Sequence, residues 1–87
     1  MPSAAFETAA ARAKAFTKKP TDDELLDLYG LFKQATVGDV NTTRPGMMAF
    51  EAKYKWDAWK KNEGTSQEEA EAQYIKLVED LAKTYEA

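Results

Sequence analysis

Apolar residues return at three- and four-residue steps in four blocks of this chain, separated by proline, glycine and small polar residues. That pattern predicts four helices and no strand. The first block runs from about Ser3 to Ala15, with Ser3 as N-cap and Phe6, Ala9, Ala10 and Ala13 on a narrow face. Alanine favours helix and lets a neighbouring helix come close. Pro20 forbids continuation, and Thr21 with Glu24 predicts a capping box for the second helix, whose start also carries Asp22 and Asp23. Leu25, Leu28, Tyr29 and Phe32 form its stripe, and Gly38 is the expected stop. The third helix is predicted from about Phe50 to Asn62, with Ala52, Trp56 and Trp59 on one face, Lys55 beside them and Gly64 after it. Thr65 and Glu68 predict a second capping box, opening a fourth helix whose stripe is Ala70, Tyr74, Leu77, Val78 and Leu81.

Between the second and third helices, Thr36 to about Met47 has turn residues and no helical period, so it reads as an ordered surface loop. It is long for a structureless connection, which signals function or a long crossover. Asn41-Thr42-Thr43 fits the N-glycosylation pattern, but no leader segment is recognisable to bring it to that machinery, and the match reads as accidental.

Composition narrows the chemistry. At 87 residues the chain fits one domain, residues 1–87, with a core only marginally large enough for stability. It contains neither cysteine nor histidine, which removes disulfides, thiol chemistry and the usual zinc and haem sites, and rules out the Glu-x-x-His element of di-iron bundles. No metal, cofactor or catalytic residue is expected. MPSAAFETAA lacks a basic segment followed by an apolar run, and no stretch offers eighteen apolar residues, so a soluble cytoplasmic monomer without stable membrane insertion is the expectation.

The net charge of −3 conceals an uneven distribution: +3 over residues 1–19, −3 over 20–50, +2 over 51–62 and −5 over 63–87. An acidic chain with small clusters of lysine argues against nucleic-acid binding, which needs many phosphate contacts, and leaves room for a small anionic ligand. Glu68, Glu69 and Glu71 read as the solvated start of a helix.

Tyr29, Phe32 and Lys33 stand at i, i+3 and i+4, which brings two aromatic faces and an ammonium onto one patch. The patch suits a phosphate with a base stacked nearby, and equally a core pair with a lysine reaching past it into water. Trp56 and Trp59 read mainly as core. Tyr74 lies on an apolar stripe, where a buried hydroxyl needs a partner.

The segments Tyr29-Gly30-Leu31-Phe32-Lys33 and Lys55-Trp56-Asp57-Ala58-Trp59 resemble the acyl-CoA-binding protein family, which includes the diazepam-binding-inhibitor members, and a weaker resemblance extends from Phe6 to Tyr85. The resemblance implies an all-α four-helix bundle in up-down-down-up order with a long crossover between helices two and three. It implies that Tyr29, Phe32 and Lys33 contact the phosphates and adenine of the ligand, and that Lys55 pairs with the 3′-phosphate. Lys14 matches a further ligand-contact position, and Tyr74 the tyrosine that borders the thioester and pantetheine. Ala9, Leu25, Leu26 and Leu28 are candidates for the acyl groove, with the bundle core as their other reading.

Two positions depart from the family. Phe32 replaces a tyrosine, which keeps stacking and loses a phenolic hydrogen bond. Glu51 replaces a lysine found in several members, and Lys53 does not compensate, because residues two apart lie about 160° from each other around a helix.

A non-enzymatic carrier of long-chain acyl-CoA follows from the resemblance. At ~0.8 kcal/mol per buried methylene, an acyl chain of about sixteen carbons contributes on the order of 10 kcal/mol, enough to offset a similar association cost. The rival readings are a helical interaction module, including a signalling-peptide precursor, and a hydrolase, for which no nucleophile and base pair by spacing.

Overall fold

A computed structural model describes residues 2–86 as four helices, α1 (Ala4–Lys14), α2 (Asp22–Thr36), α3 (Phe50–Lys60) and α4 (Gln67–Tyr85), with no strand among them. Local chemistry sets most of the ends. Ser3 Oγ accepts from the Phe6 amide, and the Thr21–Glu24 box is reciprocal, each side chain accepting from the other's backbone amide. Gly38 and Gly64 adopt positive φ after α2 and α3, where glycine carries no Cβ penalty. The predicted Thr65–Glu68 box is not formed. Ser66 caps α4 instead, accepting from the Glu69 amide, and the Thr65 carbonyl accepts from the Gln34 side chain.

Cross-links between helix ends fix the topology. Ser3 donates its amide to Glu71 and Arg12 pairs with Glu86, so α1 and α4 run parallel. The Tyr85 hydroxyl donates to Glu24, and Gln67 donates to the Ala35 carbonyl, so α2 and α4 are antiparallel. The Lys55 ammonium lies over the Tyr29 ring and that of Lys33 over Trp59, so α2 and α3 are parallel. This is the up-down-down-up order. The helices contact one another in the sequence α1, α4, α2, α3, giving a flattened body of 38 × 28 × 15 Å.

The core belongs to three of the four helices. Phe6 and Ala9 of α1, Leu28, Leu31 and Ala35 of α2, and Ala70, Tyr74, Val78 and Leu81 of α4 form one buried cluster. Helix α3 joins differently. Gly30 lets its backbone approach α2 so closely that a Cβ there would sit 2.3 Å from the Ala58 carbonyl oxygen. Ala58 and Trp59 are the buried residues of α3, while Ala52, expected on its inner face, is exposed and Trp56 is half-buried.

The crossover, residues 37–49, is fastened by polar contacts. The Trp59 and Trp56 indoles donate to the carbonyls of Gly38 and Thr42 at 2.8 and 3.0 Å, and Arg44 forms a two-pronged pair with Asp57, both bonds 2.8 Å. Asp39 accepts from the Gly64 amide and from Gln34, which hold its carboxyl below the usual range. The tryptophans therefore hold the loop as well as filling space.

Candidate functional site

Tyr29 and Lys33 lie one turn apart on α2, facing Lys55 and Trp59 one turn apart on the parallel α3. The Lys55 ammonium stands 5.6 Å from the centre of the Tyr29 ring, and the Lys33 ammonium 5.0 Å from that of Trp59. Both pairs are within cation–π range. Two cations and two aromatic faces thus alternate across the α2–α3 seam, and Lys33 has no carboxylate in ion-pair reach among the described residues.

Charge pairing differs across the molecule. Arg12, Arg44, Lys60, Lys61, Lys76 and Lys83 each engage a carboxylate. Lys14, Lys18, Lys19, Lys33 and Lys53 engage none among the described residues. Lys55 is intermediate, with Glu51 at 3.4 Å and 86 % of the Glu51 side chain in solvent. Such an exposed contact is worth at most about 1 kcal/mol and exchanges readily for a stronger anion.

Next to this seam a groove of about 550 Å³ opens between the N-terminal halves of α2 and α3. Leu25, Leu26, Tyr29, Phe50 and Tyr54 supply its apolar walls, and Lys19, Asp22, Glu51 and Lys55 its charged rim. An apolar trough with Lys55 on its rim, and Lys33 one turn beyond Tyr29 along the seam, can hold an amphiphile whose anionic part these two lysines fix. Among the described residues no group of His, Cys, Asp and Glu is arranged to hold a metal, and no helix is long and apolar enough to cross a membrane.

The residues singled out from the sequence separate into five places. Tyr29, Lys33 and Lys55 meet at the seam, and Leu25 and Leu26 line the groove. Ala9 and Leu28 belong to the buried α1–α2–α4 core and do not line it. Phe32 and Tyr74 meet on the α1-facing side of α2, where Phe32 stacks on Phe6 at 5.5 Å and meets the Tyr74 ring edge-on at 5.9 Å. Burial raises the pKa of the Tyr74 hydroxyl, which makes no hydrogen bond among the described residues. The hydroxyl is not enclosed, since Gln34 Oε1 is the only enclosed side-chain polar atom among them without a partner. Lys14 stands apart, exposed at the last position of α1, a helix that packs on α4.

Lys19, Phe50 and Tyr54 also line the groove, and none of them is among the site residues that the sequence predicts. Phe50 and Tyr54 are an i, i+4 aromatic pair, a signal hidden by assigning the inner face of α3 to Ala52, Trp56 and Trp59. Glu51, which puts a carboxylate on the rim of the groove, engages Lys55 directly.

Comparison with known proteins gives the family and the fold. The family described as Acyl CoA binding protein matches residues 3–78. An acyl-CoA-binding protein of Dictyostelium discoideum is 54 % identical over 80 residues, covering 92 % of this chain and 95 % of the relative. A homolog of Drosophila melanogaster is 49 % identical over 85 residues, covering 98 % and 99 %. The crystal structure of the protein from Moniliophthora perniciosa superposes with a TM-score of 0.90 at 45 % identity, over 100 % of this chain and 86 % of that one. Acyl-CoA-Binding Protein 2 of Oryza sativa gives 0.87 at 49 % identity, over 91 % and 88 %. With this agreement along nearly its whole length, in sequence and in fold, the chain belongs to the acyl-CoA-binding protein family.

Proposed function

We propose that this protein binds long-chain acyl-CoA esters and carries them without chemical change. The acyl chain lies in the α2–α3 groove over Leu25 and Leu26, and the nucleotide end is held by Tyr29, Lys33 and Lys55, with Lys55 on the 3′-phosphate. Phe32, 37 % exposed, and Tyr74 lie on the α1-facing side of α2, and they contact the adenine and the pantetheine only where the ligand passes over that side. The observation that carries this reading is the seam itself, where the Lys33 and Lys55 ammoniums rest on aromatic rings beside an apolar groove that Tyr29 and Lys55 also line. Lysine suits a phosphate as a compact point charge, and each charge-assisted hydrogen bond exceeds a neutral one.

Neither half of the ligand is enough alone. The acyl chain supplies burial and the phosphates supply orientation, so the intact ester binds far more tightly than free CoA or free fatty acid. Calorimetric titration with palmitoyl-CoA, CoA and palmitate tests this. The expected result is strong binding of the ester alone; comparable affinities for all three, or no heat with the ester, would refute the proposal. A constant thioester concentration over hours in the complex is the expected sign of a carrier, and its steady loss would mark a hydrolase.

A further inference from the structure

Lys33 owes its place at the seam to residues that stand behind it. Its ammonium lies 5.0 Å from the centre of the Trp59 ring, and among the described residues it has no carboxylate in ion-pair reach. The ring is its platform. Trp59 is buried, where an indole N–H needs a partner, and it donates to the Gly38 carbonyl at 2.8 Å. The direction of that carbonyl therefore sets how the ring lies under the ammonium.

Gly38 cannot aim its carbonyl alone. With φ at 98° and no side chain, it has nothing of its own to pack against a neighbour. The carbonyl lies in the planar peptide unit that ends at the Cα of Asp39, so anchors on both sides of the unit decide its direction. On one side the Gly38 amide donates to the Gln34 carbonyl at 3.0 Å, in the last turn of α2. On the other, Asp39 Oδ1 accepts from the Gly64 amide and from Gln34 Nε2, both at 2.9 Å. Gln34 is fully enclosed, and its Nε2 also donates to the Thr65 carbonyl at 2.7 Å. Asp39 is thus an exposed residue outside the apolar core, yet tied to an enclosed amide and to the α3–α4 turn. The other fastenings of the crossover, Arg44 on Asp57 and Trp56 on Thr42, serve no such platform, since no cation rests on the Trp56 ring among the described residues.

We propose that Asp39 is a positioning residue for the anionic end of the ligand: by aiming the Gly38 carbonyl it sets the Trp59 ring beneath the Lys33 ammonium, and so presents that ammonium before the ligand arrives. A lysine on its flexible stem gives up rotamer freedom when it grips a phosphate, and a ring platform takes part of that loss in advance. Lys55 does not depend on this latch, because its own platform is Tyr29 on α2. The role of the ammonium rests on the acyl-CoA proposal; the placement of the ring does not.

Asp39→Ala, with Asp39→Ser as a second truncation, tests the role by calorimetry with palmitoyl-CoA and by the Trp59 indole proton in nuclear magnetic resonance. Each truncation should weaken the ester about three- to fivefold, the worth of a ring-stacked cation, and in a Lys33→Ala background should weaken it no further. In a Lys55→Ala background the same loss should persist. Asp39→Asn should restore most of the affinity, because both bonds end on one oxygen that an amide carbonyl also offers. In the ligand-free protein the Trp59 indole proton should exchange with water faster in the truncations than in wild type. Equal losses in the Lys33→Ala and Lys55→Ala backgrounds, the mark of a merely structural role, would overturn the inference, as would an unchanged exchange rate. Failure of the wild type to bind palmitoyl-CoA refutes the carrier reading, whereas binding without coupling between Asp39 and Lys33 refutes the positioning role alone.

Discussion

Towards α4, helix α2 turns Leu28, Leu31 and Ala35 into a core shared with Phe6, Tyr74, Val78 and Leu81. Towards α3 it turns Asp27, Tyr29, Gly30 and Lys33, which meet Lys61, Lys55, Ala58 and Trp59. The first seam is apolar and closed, so its side chains have no partner to exchange. The second is held by a glycine contact, an ion pair and ring-stacked cations, whose charged ends still reach solvent. Fold stability is concentrated in the first seam, and the capacity to accept an anionic amphiphile in the second.

Breaking each seam separately should give different losses. Phe6→Ala removes a side chain only 2 % exposed at the centre of the apolar seam, and should cost about 3–5 kcal/mol of stability by denaturant unfolding. Lys55→Ala should lower stability by no more than about 1 kcal/mol, the loss of one exposed ring-stacked cation, and weaken palmitoyl-CoA binding by about 1.5–3 kcal/mol in calorimetry. Equal losses of stability in both variants would erase the distinction.

Gly30→Ala probes the close approach. Alanine would favour an isolated helix by about 1 kcal/mol, so a rise in melting temperature would show that the approach is unimportant. The 2.3 Å clash with the Ala58 carbonyl oxygen should instead force α3 away, for a net loss of about 1–3 kcal/mol together with weaker ester binding.

Acid should release polar fastenings on both sides, Glu24 with Tyr85 and Glu86 with Arg12 as well as those of the crossover. The apolar core keeps α1, α2 and α4 together, so the α3 side, where only Ala58 and Trp59 are buried, should loosen first. Asp39 is held below the ordinary carboxylate pKa by the Gly64 amide and Gln34, and Asp57 by Arg44. A lowered pKa in the folded state means that these fastenings act above the ordinary value of about 4 and are lost as pH falls through the lower folded values. Trp56 and Trp59, the two tryptophans of the chain, both hold the crossover, so their fluorescence reports this region. Fluorescence should therefore change at a higher pH than the helical circular dichroism, whereas coincident transitions would mean that the two seams unfold together.

The smallest expected effect is at Glu51. Glu51→Gln frees Lys55 from its exposed partner and should tighten ester binding about two- to fourfold, less at high salt. Weaker binding would assign the carboxylate a positive role in placing Lys55.

Much of the fold is legible in the sequence because helix signals are local. Ser3, Thr21 with Glu24, Pro20, Gly38 and Gly64 mark ends by chemistry within a few residues. The fourth helix shows the limit. Thr65–Glu68 and Ser66–Glu69 have the same spacing, and the distant Gln34, which takes the Thr65 carbonyl, accompanies the later start. On α2 a single apolar stripe conceals two faces. Leu28 is buried against α4, Leu25 opens to the groove, and Phe32 sits among Phe6 and Tyr74, assignments that depend on which helix lies beside α2. Leu31 and Gln34, both enclosed, give no distinct sequence signal. The seam residues Tyr29 and Lys33 stand out through mixed aromatic and basic spacing and Lys55 through the family resemblance, but Phe50 and Tyr54 require the parallel placement of α3, which the crossover sets.

Pairing Lys55→Ala with removal of the 3′-phosphate from the ligand tests the seam as a binding site most directly. Palmitoyl-CoA and its 3′-dephospho analogue are titrated against wild type and variant in a double-mutant cycle. With Lys55 on that phosphate, its removal weakens wild-type binding and changes little in the variant, leaving a coupling of about 1–3 kcal/mol. Equal losses in both proteins, hence no coupling, would place the phosphate elsewhere and contradict the site described at the α2–α3 seam.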